Sequence, residues 1–205
     1  MLTTAALALE DDLAMLRAAE AVGAAPAFRT WTSTGYAVVV GRSVQVEAEV
    51  DVACCEAEGI PIVQRPSGGR SVVVGPGTLQ YTFSLPLALT PELRTITTTK
   101  RYCNRLLLSA LPWGHGLVDE ASGDLVRGDR KVGGLALRRT RDAVLLHGTL
   151  LLTAEIARIG RILKHPAREP LYRRGRSHEE FLANLGPIDP VALEGSVREL
   201  WLDRR

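Results

Sequence analysis

The sequence predicts a single domain of the mixed α/β class. Its 205 residues suit one compact domain and hardly leave room for two. Short runs rich in β-branched and aromatic residues alternate with segments of helical periodicity. Neither an internal repeat nor a long flexible linker divides the chain. We therefore expect one domain over residues 1–205, without a separate accessory domain at its C-terminal end.

The first sixty residues are predicted to form a helix, a strand pair and a second helix. Thr3 or Thr4 can cap an amphipathic helix in the first twenty residues, where leucines recur at helical spacing. Residues 28–31 and 36–42 are predicted to form a strand pair around a turn. Residues 46–59 are predicted to form the second helix.

Three short strands and a long helix are predicted next. The three strands cover residues 60–65, 70–75 and 79–85. Thr90 as N-cap and Pro91 at the first helical position indicate where the helix begins. Pro112 stops it, because proline cannot continue a helix.

The second half of the chain repeats this alternation of strands and helices. Three further strands are predicted at residues 124–128, 131–139 and 143–152. A helix follows over residues 153–164, and Ser177 with Glu180 forms a capping box at the start of another. Asp189 and Pro190 indicate the start of a last helix.

The composition excludes several classes of protein. Hydrophobic residues make up 46% and charged residues 23%, which excludes a disordered, collagen-like or coiled-coil chain. No eighteen-residue apolar window occurs, and acidic residues stand where a signal peptide would be apolar. Three cysteines are too few, and odd in number, for a disulfide framework, which fits a reducing compartment. We expect a cytoplasmic protein that does not enter a membrane.

The charge is distributed unevenly along the chain, although the net charge is only +2. Residues 1–60 contain nine acidic and three basic residues, whereas residues 127–176 contain thirteen basic and four acidic ones. A basic segment in a nearly neutral protein suggests a local anionic partner. An arginine-rich solvated face is the alternative.

Glycine is concentrated at two places between predicted strands. The first place comprises Arg65, Pro66, Ser67, Gly68, Gly69 and Arg70, followed by Gly75 and Gly77. Paired glycines let the backbone approach a ligand, and the flanking arginines and serine supply charge and a hydroxyl. The segment is neither a Walker loop nor a dinucleotide fingerprint. Taken alone, it favours an ordinary hairpin with surface arginines.

The second glycine-rich place follows Lys131, which precedes Gly133 and Gly134 at the start of a predicted strand. Lys131 is one of only three lysines in a chain with 22 arginines. Lysine is a compact point charge that can reach a phosphate or a reacting carbonyl in a pocket. An exposed lysine at a strand end is the alternative.

His147 interrupts an otherwise apolar predicted strand, and Thr149 follows it. A lone histidine in such a strand is typical of a core residue that bonds a backbone carbonyl. The four histidines lack metal-ligand spacing, so the sequence predicts no metal site on the protein itself.

The ordered segments RPSGGR, GPGTLQYTF, GDLVRGDRKVGGLALRR and LLHGTLLL resemble the lipoate–protein ligase and octanoyltransferase family. This family is the lipoyl branch of the biotin/lipoate ligase superfamily. The resemblance covers residues 28–152 and continues more weakly in YRRGRSH at 172–178. It implies an α+β catalytic domain with a central mixed, mostly antiparallel sheet packed by helices. The glycine-rich biotin-ligase signature is not present, which disfavours biotin.

The resemblance implies a role for each matching segment. The loop that contacts the acyl carboxylate or its adenylate is matched by Arg65, Ser67, Gly68, Gly69 and Arg70. Lys131 matches the lysine that touches the lipoyl carbonyl and the α-phosphate. The small-residue segment after it and the strand that lines the acyl tunnel are matched by Gly133, Gly134, Ala136, His147, Gly148 and Thr149. Val72 and Leu135 would contact the aliphatic chain, and Arg42 matches a Gly-Arg after the first strand.

Departures from the family pattern bear on the reaction type. Ligases of the family usually have His-Asp where this chain has Val74 and Gly75, and the loop from Gly75 to Gly77 is closer to that of the transferases. Both glycines are counted among the expected binding residues. The transferases need a cysteine nucleophile. Ala121 and Ser122 stand near where one class would place it, and Cys54, Cys55 and Cys103 are interpreted as packing residues. The missing thiol favours a ligase.

The resemblance therefore implies an ATP-dependent ligase that activates lipoate or octanoate as an acyl-adenylate, with Mg²⁺ present. Lys131 would stabilise the charge that develops on carbonyl and phosphate oxygens. An acyltransferase between carrier proteins and a non-catalytic binding relative stay open as alternatives. A nucleic-acid binder is disfavoured, because phosphate tracking needs neither the glycine loops nor Lys131. The acid, the acceptor and the need for a separate accessory-domain protein also stay open.

The implied partner is an acceptor protein, a lipoyl domain or related carrier, whose modified lysine usually lies on an acidic surface. The basic segment 127–176 would then be a docking surface beside the pocket. The expected docking residues are Arg138, Arg139, Arg173 and Arg174. No nucleic-acid or membrane partner is expected.

Overall fold

The computed structural model describes residues 2–112, 116–120 and 123–202. The strands are β1 (Leu2–Thr3), β2 (Ala27–Ser33), β3 (Ala37–Val40), β4 (Ile62–Gln64), β5 (Val72–Val74), β6 (Thr78–Pro86), β7 (Val118–Asp119), β8 (Leu125–Arg127), β9 (Arg130–Arg139) and β10 (Ala143–Leu151). The α-helices are α1 (Ala5–Ala19), α2 (Val46–Glu49), α3 (Val52–Ala57), α4 (Ile96–Ala110), α5 (Ile156–Ile162), α6 (His178–Phe181) and α7 (Pro190–Leu202). Short 3₁₀ turns cover Leu87–Leu89, Pro91–Arg94 and Leu171–Arg173.

Two sheets organise the fold. The large sheet has seven strands in the order β1-β2-β6-β10-β9-β8-β7, and every pair except β1 with β2 is antiparallel. The small sheet has the order β4-β3-β5, with β3 parallel to β4 and antiparallel to β5. This arrangement confirms the predicted α+β fold with a mixed, mostly antiparallel sheet packed by helices.

The predicted strand pair between β2 and β3 is wrong. The strand β2 pairs with β6 of the large sheet, whereas β3 is the central strand of the small sheet. All four residues of β3 are buried. A strand that is apolar and buried on both faces fits the middle of a sheet, with a partner along each edge, better than a hairpin.

Two helix boundaries also differ from the prediction. The helix predicted over 46–59 is split into α2 and α3 at Val50, which forms a β-bridge with Leu163. The helix predicted to begin at Thr90 begins at Ile96 instead, with Thr95 as its N-cap, because the preceding turn is 3₁₀. The capping by Thr4 and the capping box at the start of α6 are confirmed.

The two faces of the large sheet are covered differently. One face packs its β6 and β10 side chains against α4 and α7 in the main apolar core, which includes Tyr81, Phe83 and Leu146. The other face is covered by α1, through Leu16 against Leu145, and by the small sheet. Among the described residues, no helix is long and apolar enough to cross a membrane.

Candidate active site

A cavity of about 390 Å³ lies where the large sheet, the small sheet and helix α1 meet. Its walls include side chains of β6, β9, β10, β3 and β5 as well as of α1, α4 and α6. All three lysines of the chain line it, namely Lys100, Lys131 and Lys164. Of these three, only Lys131 was predicted from the sequence to be a site residue.

The loop of residues 65–70, called the glycine loop below, is held by its own first arginine. The Arg65 guanidinium donates to the carbonyls of Gly68 (3.1 and 2.8 Å) and Arg70 (2.6 Å), and to that of Val39 on β3 (3.2 Å). Burial lowers the pKa of Arg65 to about 10, so it stays charged at neutral pH. Arg65 lines the cavity, and its donors fix the loop and join it to β3, while the binding role that the resemblance implies for it stays a prediction.

The glycine loop closes against the end of β3. The amide of Arg42 donates to the Ser67 carbonyl at 2.9 Å. A Cβ on Gly41 would lie 2.1 Å from the Gly69 carbonyl oxygen, so only glycine permits this approach. Gly69 itself has φ +90°, a conformation that L residues rarely adopt. The Gly-Arg noted in the sequence is therefore part of the support for the loop.

A chain of buried hydrogen bonds joins the glycine loop to helix α1. The Ser67 hydroxyl lies 2.6 Å from His147 Nε2, and His147 Nδ1 lies 3.0 Å from Asp12 Oδ2. Asp12 also accepts from the Arg29 guanidinium at 2.6 Å and from the Thr82 hydroxyl at 2.8 Å. Because a carboxylate only accepts, we assign the proton of His147 to Nδ1, and the serine hydroxyl then donates to Nε2.

Asp12 was not predicted from the sequence to be a site residue, although a signal was present. The buried positions of α1 include Leu9, Asp12 and Leu16, which recur at helical spacing. An acidic residue on the buried stripe of a helix requires a partner. His147 was interpreted as a core histidine that bonds a backbone carbonyl, but it bonds two side chains from distant segments.

Arg70 lies at the mouth of the cavity. Its guanidinium pairs with Glu49 at 2.5 Å, and Glu49 also accepts from the amide and hydroxyl of Ser71. Burial opposes ionisation of Glu49, but these hydrogen bonds outweigh it and lower the pKa of the carboxyl. The Arg70 side chain is 46% exposed, so further N–H groups can reach a ligand.

Lys131 lies on β9 in a polar cluster. Its Nζ forms an ion pair with Asp124 Oδ1 at 2.8 Å, and Asp124 Oδ2 accepts from the Tyr172 hydroxyl at 2.8 Å. A Cβ on Gly134 would come within 2.8 Å of Lys131 Nζ, so the missing side chain makes room for the ammonium group. Lys100 approaches the same cluster from α4, and burial lowers its pKa.

The strands β9 and β10 form the floor of the cavity, as the motifs predict. The expected residues that line it are Lys131, Gly133, Gly134, Leu135, Ala136, His147, Gly148 and Thr149, together with Arg65, Gly69, Arg70 and Val72. A Cβ on Gly148 would lie 2.3 Å from the hydroxyl of Tyr81, which belongs to the apolar core beneath the floor, so glycine lets β10 pack closely against Tyr81.

Some expected site residues do not line the cavity. Ser67 and Gly68 lie behind its wall, where Ser67 touches the lining residue His147. Gly75 and Gly77 are packing residues: a Cβ on either would collide with Tyr36 or with the backbone of Thr153. Their close packing accounts for the glycines, and the binding role that the resemblance implies for them stays a prediction.

The four expected docking arginines are also scattered. Arg138 and Arg139 lie at the far end of β9, about 23 Å from Lys131 at the usual rise per residue. Arg173 is only 4% exposed and stacks over the Phe181 ring. Arg174, in the irregular segment between α5 and α6, is exposed, as is Arg139 at the far end of β9. Periodicity could not separate buried from exposed arginines in an irregular stretch.

The structure places other basic residues at the mouth of the cavity. Lys164 and Arg168 are exposed, and both line it together with Arg70. We call Arg70, Lys164 and Arg168 the basic rim. Lys164 and Arg168 belong to the basic segment predicted from the sequence but were not singled out there.

None of the three cysteines lines the cavity. Burial raises the pKa of the Cys103 thiol, and the pKa values of Cys54 and Cys55 are raised as well, first by desolvation and then by neighbouring charges. Ala121 and Ser122, noted as positions where a nucleophile could stand, lie outside the described residues. Within the described part of the chain, no group of three His, Cys, Asp or Glu side chains could hold a metal ion.

Comparison with known proteins adds a family match. The family model described as the lipoyl protein ligase A/B catalytic domain matches residues 3–192. A lipoate-protein ligase A with bound ATP is 20% identical, with a TM-score of 0.78 over 99% of this chain and 82% of that chain. A bi-partite lipoate protein ligase from Thermoplasma acidophilum, described with its E2 lipoyl domain, is 20% identical, with a TM-score of 0.75 over 99% and 80%.

A further protein of T. acidophilum, solved with bound lipoic acid, is 19% identical, with a TM-score of 0.76 over 99% of this chain and 83% of that chain. At these identities, the structural likeness establishes a shared fold.

Proposed function

Because the chain belongs to the family of lipoyl protein ligase A/B catalytic domains, as its motifs predicted, we propose that it is an ATP-dependent ligase for lipoate or octanoate. In the first half-reaction, the acid carboxylate attacks the α-phosphorus of ATP, and the bond to pyrophosphate breaks. In the second, the amine of an acceptor lysine attacks the acyl carbon of the mixed anhydride. The new amide bond releases AMP, and the proton of the amine passes to solvent.

The observation that carries this proposal is the environment of Lys131. Its ammonium group lies in the cavity, in the space left by Gly134, where it can contact carboxylate and phosphate oxygens together. A fixed positive charge at the site where negative charge develops lowers the barrier without a covalent intermediate. The pairing with Asp124 orients the ammonium group before substrate enters.

The glycine loop would bind the anionic part of the substrate. The Arg65 guanidinium already donates hydrogen bonds to carbonyls of the loop, so the exposed Arg70 is the guanidinium available for phosphate. The Ser67–His147–Asp12 chain would hold the loop at a fixed distance from β10. The acyl chain would follow the apolar side chains between the two sheets, which include Val72 and Leu135.

Mg²⁺ fits this site only when it is bound together with the phosphates of the nucleotide. It is commonly held by one or two carboxylates together with substrate phosphates. Asp124 is the carboxylate beside Lys131, and both of its oxygens are bonded, to Lys131 and to Tyr172. When bound, Mg²⁺ would neutralise phosphate charge, and Asp124 is the residue that could reach it.

An acyltransferase would need a nucleophile that accepts the acyl group from a carrier protein. The three cysteines lie away from the cavity and their pKa values are raised. This is the reason for preferring the ligase over the transferase.

The second substrate would be a lipoyl domain or related carrier. The bi-partite ligase from T. acidophilum is described with such a domain. An acidic surface around the target lysine would match the basic rim of Arg70, Lys164 and Arg168. The pyrophosphate exchange assay described below also tests whether a separate accessory protein takes part in the reaction.

The proposal is tested by exchange of labelled pyrophosphate into ATP, without an acceptor protein. We expect exchange that depends on lipoate or octanoate, and none with biotin. Replacement of all three cysteines by Ala or Ser should leave most of the exchange intact, apart from a packing loss at the fully buried Cys103. Acyl transfer from a carrier thioester without ATP would contradict the proposal.

A further inference from the structure

Two histidines of the described chain line the cavity, and they differ in their hydrogen bonds. Both ring nitrogens of His147 are engaged, by Ser67 and Asp12. His178, the first residue of α6, forms no side-chain hydrogen bond to another described residue. It is half-buried, and neither of its ring nitrogens is among the fully buried, unpaired atoms of the described residues. A reactant in the cavity can therefore reach this imidazole.

The backbone holds α6 beside Lys131. Leu182, just after the helix, forms a β-bridge with Lys131, and the Ala183 amide donates to the Lys131 carbonyl at 2.9 Å. The Leu182 amide also donates to the His178 carbonyl at 2.9 Å, which closes one helical turn. His178 thus begins the turn that ends at the bridge partner of Lys131, and both side chains line the same cavity.

The imidazole of His178 is neutral at neutral pH. Burial, and then the charge of Arg173, lower its pKa to about 4. His165 and Lys131 act in the same direction, and Glu179 opposes them. A neutral imidazole has one nitrogen with a free lone pair, so the ring can accept a proton.

The carboxylates that line the cavity are less suited to accept a proton, because they already have partners. These carboxylates are Asp12, Glu49 and Asp124. Each of them forms an ion pair with a basic side chain at a distance between 2.5 and 2.8 Å. Protonation of any of these carboxylates would weaken such a pair, whereas protonation of His178 breaks no hydrogen bond to a described residue.

His178 also lies on the side of the cavity where an acceptor protein would enter. The chain between Lys164 and Leu182 contributes many of the lining residues, and it carries both Arg168 of the basic rim and His178. An acceptor that docks on the basic rim would therefore bring its lysine into the part of the cavity that this segment lines.

We propose that His178 is the general base of the second half-reaction and accepts the proton of the acceptor lysine. The amine nitrogen attacks the acyl carbon, and its proton passes to the free nitrogen of the imidazole. The bond from the acyl carbon to the phosphate oxygen breaks, and AMP leaves with the electron pair. The imidazolium then releases the proton to solvent. This proposal rests on the proposed function, because the acyl donor is the acyl-adenylate.

The first half-reaction makes no such demand on a base. The attacking carboxylate is already ionised at neutral pH, so no proton has to leave the nucleophile. Loss of the His178 imidazole should therefore slow transfer to the acceptor far more than activation of the acid.

Transfer is measured on its own with synthetic octanoyl adenylate, without ATP, and with a lipoyl domain as the acceptor. The intact mass of the acceptor reports the amide product under single-turnover conditions. His178→Gln keeps a polar side chain and loses the basic nitrogen, so we expect transfer to fall at least about a hundredfold. His165→Gln is the matched control and should transfer at the rate of the unmodified chain, because His165 is exposed and does not line the cavity.

Imidazole added to the solution distinguishes a lost base from a disturbed structure. His178→Ala leaves space for imidazole, so the addition should restore transfer in proportion to the neutral form of imidazole. The same addition to His178→Gln, whose side chain fills this space, measures the background reaction. Unchanged transfer in His178→Gln would overturn the proposal. A loss in His178→Ala that imidazole does not restore above the background would overturn it as well.

Pyrophosphate exchange separates this proposal from the proposed function. Exchange should fall far less than transfer in His178→Gln, and an equal fall in both would overturn the role of His178. Exchange by the unmodified chain together with normal transfer by His178→Gln would leave the ligase intact and overturn the base. Transfer from the supplied adenylate that depends on His178, in a chain without exchange, would support the base and contradict the ligase.

Discussion

Lys131 is the residue on which the proposed chemistry depends most directly. Its charge is compact, Asp124 orients it at 2.8 Å, and Gly134 leaves the space that it occupies. Arginine is the usual positive residue of this chain, with 22 copies, yet the planar guanidinium needs more room than this position offers. The lysine and the glycine three residues later are therefore one structural unit.

Replacement of Lys131 by Ala should abolish acid activation and leave the fold intact. We expect pyrophosphate exchange to fall at least about a hundredfold, the usual effect of losing one preorganised electrostatic group. The stability loss should stay below about 1 kcal/mol, because the ion pair with Asp124 is partly exposed. Exchange assays and thermal unfolding measure the two effects.

Lys131→Arg should be impaired as well, because of the space limit at Gly134. Normal exchange in Lys131→Ala would show that the chemistry lies elsewhere.

His178, on the wall of the cavity, should make stability depend on pH. Burial and then the charge of Arg173 lower its pKa to about 4, compared with about 6.5 in an unfolded chain. Between these values the unfolded state binds more protons, so stability falls as the pH falls from about 6.5 towards 4. The melting temperature of His178→Gln should therefore drop less between pH 7.5 and pH 5 than that of the unmodified chain. The exposed His165→Gln is the control, and equal drops in both variants would refute this assignment.

At the scale of single residues, sequence reasoning found the groups that a motif marks and missed those that the fold brings in. Lys131, Arg70 and His147 were expected at the site and line the cavity. Asp12 comes from the first helix, and its pairing with His147 joins residues 135 positions apart. Arg173 was expected at the surface, but the residues that bury it could not be foreseen from an irregular segment.

At the scale of elements, glycines set how closely the segments of the site approach one another. The end of β3 and the glycine loop are in contact at Gly41, and β6 contacts β10 at Gly148. The sequence indicated close backbone approach at paired glycines but not which segments would meet. It also placed β2 and β3 in one hairpin, because the short turn between them carries no information about their separate partners.

Gly41→Ala should damage the glycine loop although residue 41 does not line the cavity. Its Cβ would lie 2.1 Å from the Gly69 carbonyl, so the loop must move away from β3. We expect a loss of about 1–3 kcal/mol in the free energy of unfolding, and a fall in exchange activity larger than the fraction unfolded explains. Chemical denaturation and exchange assays are the measurements.

Gly195→Ala is the matched control for Gly41→Ala. Residue 195 lies in α7, and a Cβ there meets nothing within 4 Å outside the helix. Alanine should stabilise this helix by up to about 1 kcal/mol and leave exchange unchanged. Full activity in Gly41→Ala would mean that the position of the loop does not matter for activation.

At the scale of the whole molecule, the uneven charge along the chain becomes a local feature of the surface. The basic segment supplies Lys164 and Arg168 to the basic rim, whereas Arg138 and Arg139 of the same segment lie far from it. Composition could predict an anionic partner but not the side of the molecule on which it docks. That side is decided by where the strand β9 runs and by where the segment after α5 returns to the cavity.

The double replacement of Arg168 and Arg174 by Glu should weaken acceptor modification steeply at low salt and leave pyrophosphate exchange unchanged. Both residues are exposed, and steering by such charges acts on the association rate and is screened by salt. Arg198→Glu is the control, because this exposed residue lies on α7, which packs on the opposite face of the large sheet. Equal losses in both half-reactions would place the arginines at the nucleotide site. No change in either half-reaction would mean that these arginines are only a solvated surface and do not contribute to docking.

The most direct test of the ligase is a single incubation with the acid and ATP labelled at the α-phosphate, without an acceptor protein. We predict that labelled acyl-adenylate forms and is released when the protein is denatured, while the intact mass of the chain stays unchanged. In the cysteine-free protein the result should be the same, and in Lys131→Ala the adenylate should be lost. An increase of the intact mass by one acyl group, formed from a carrier thioester in the absence of ATP, would contradict the ligase and establish a transferase.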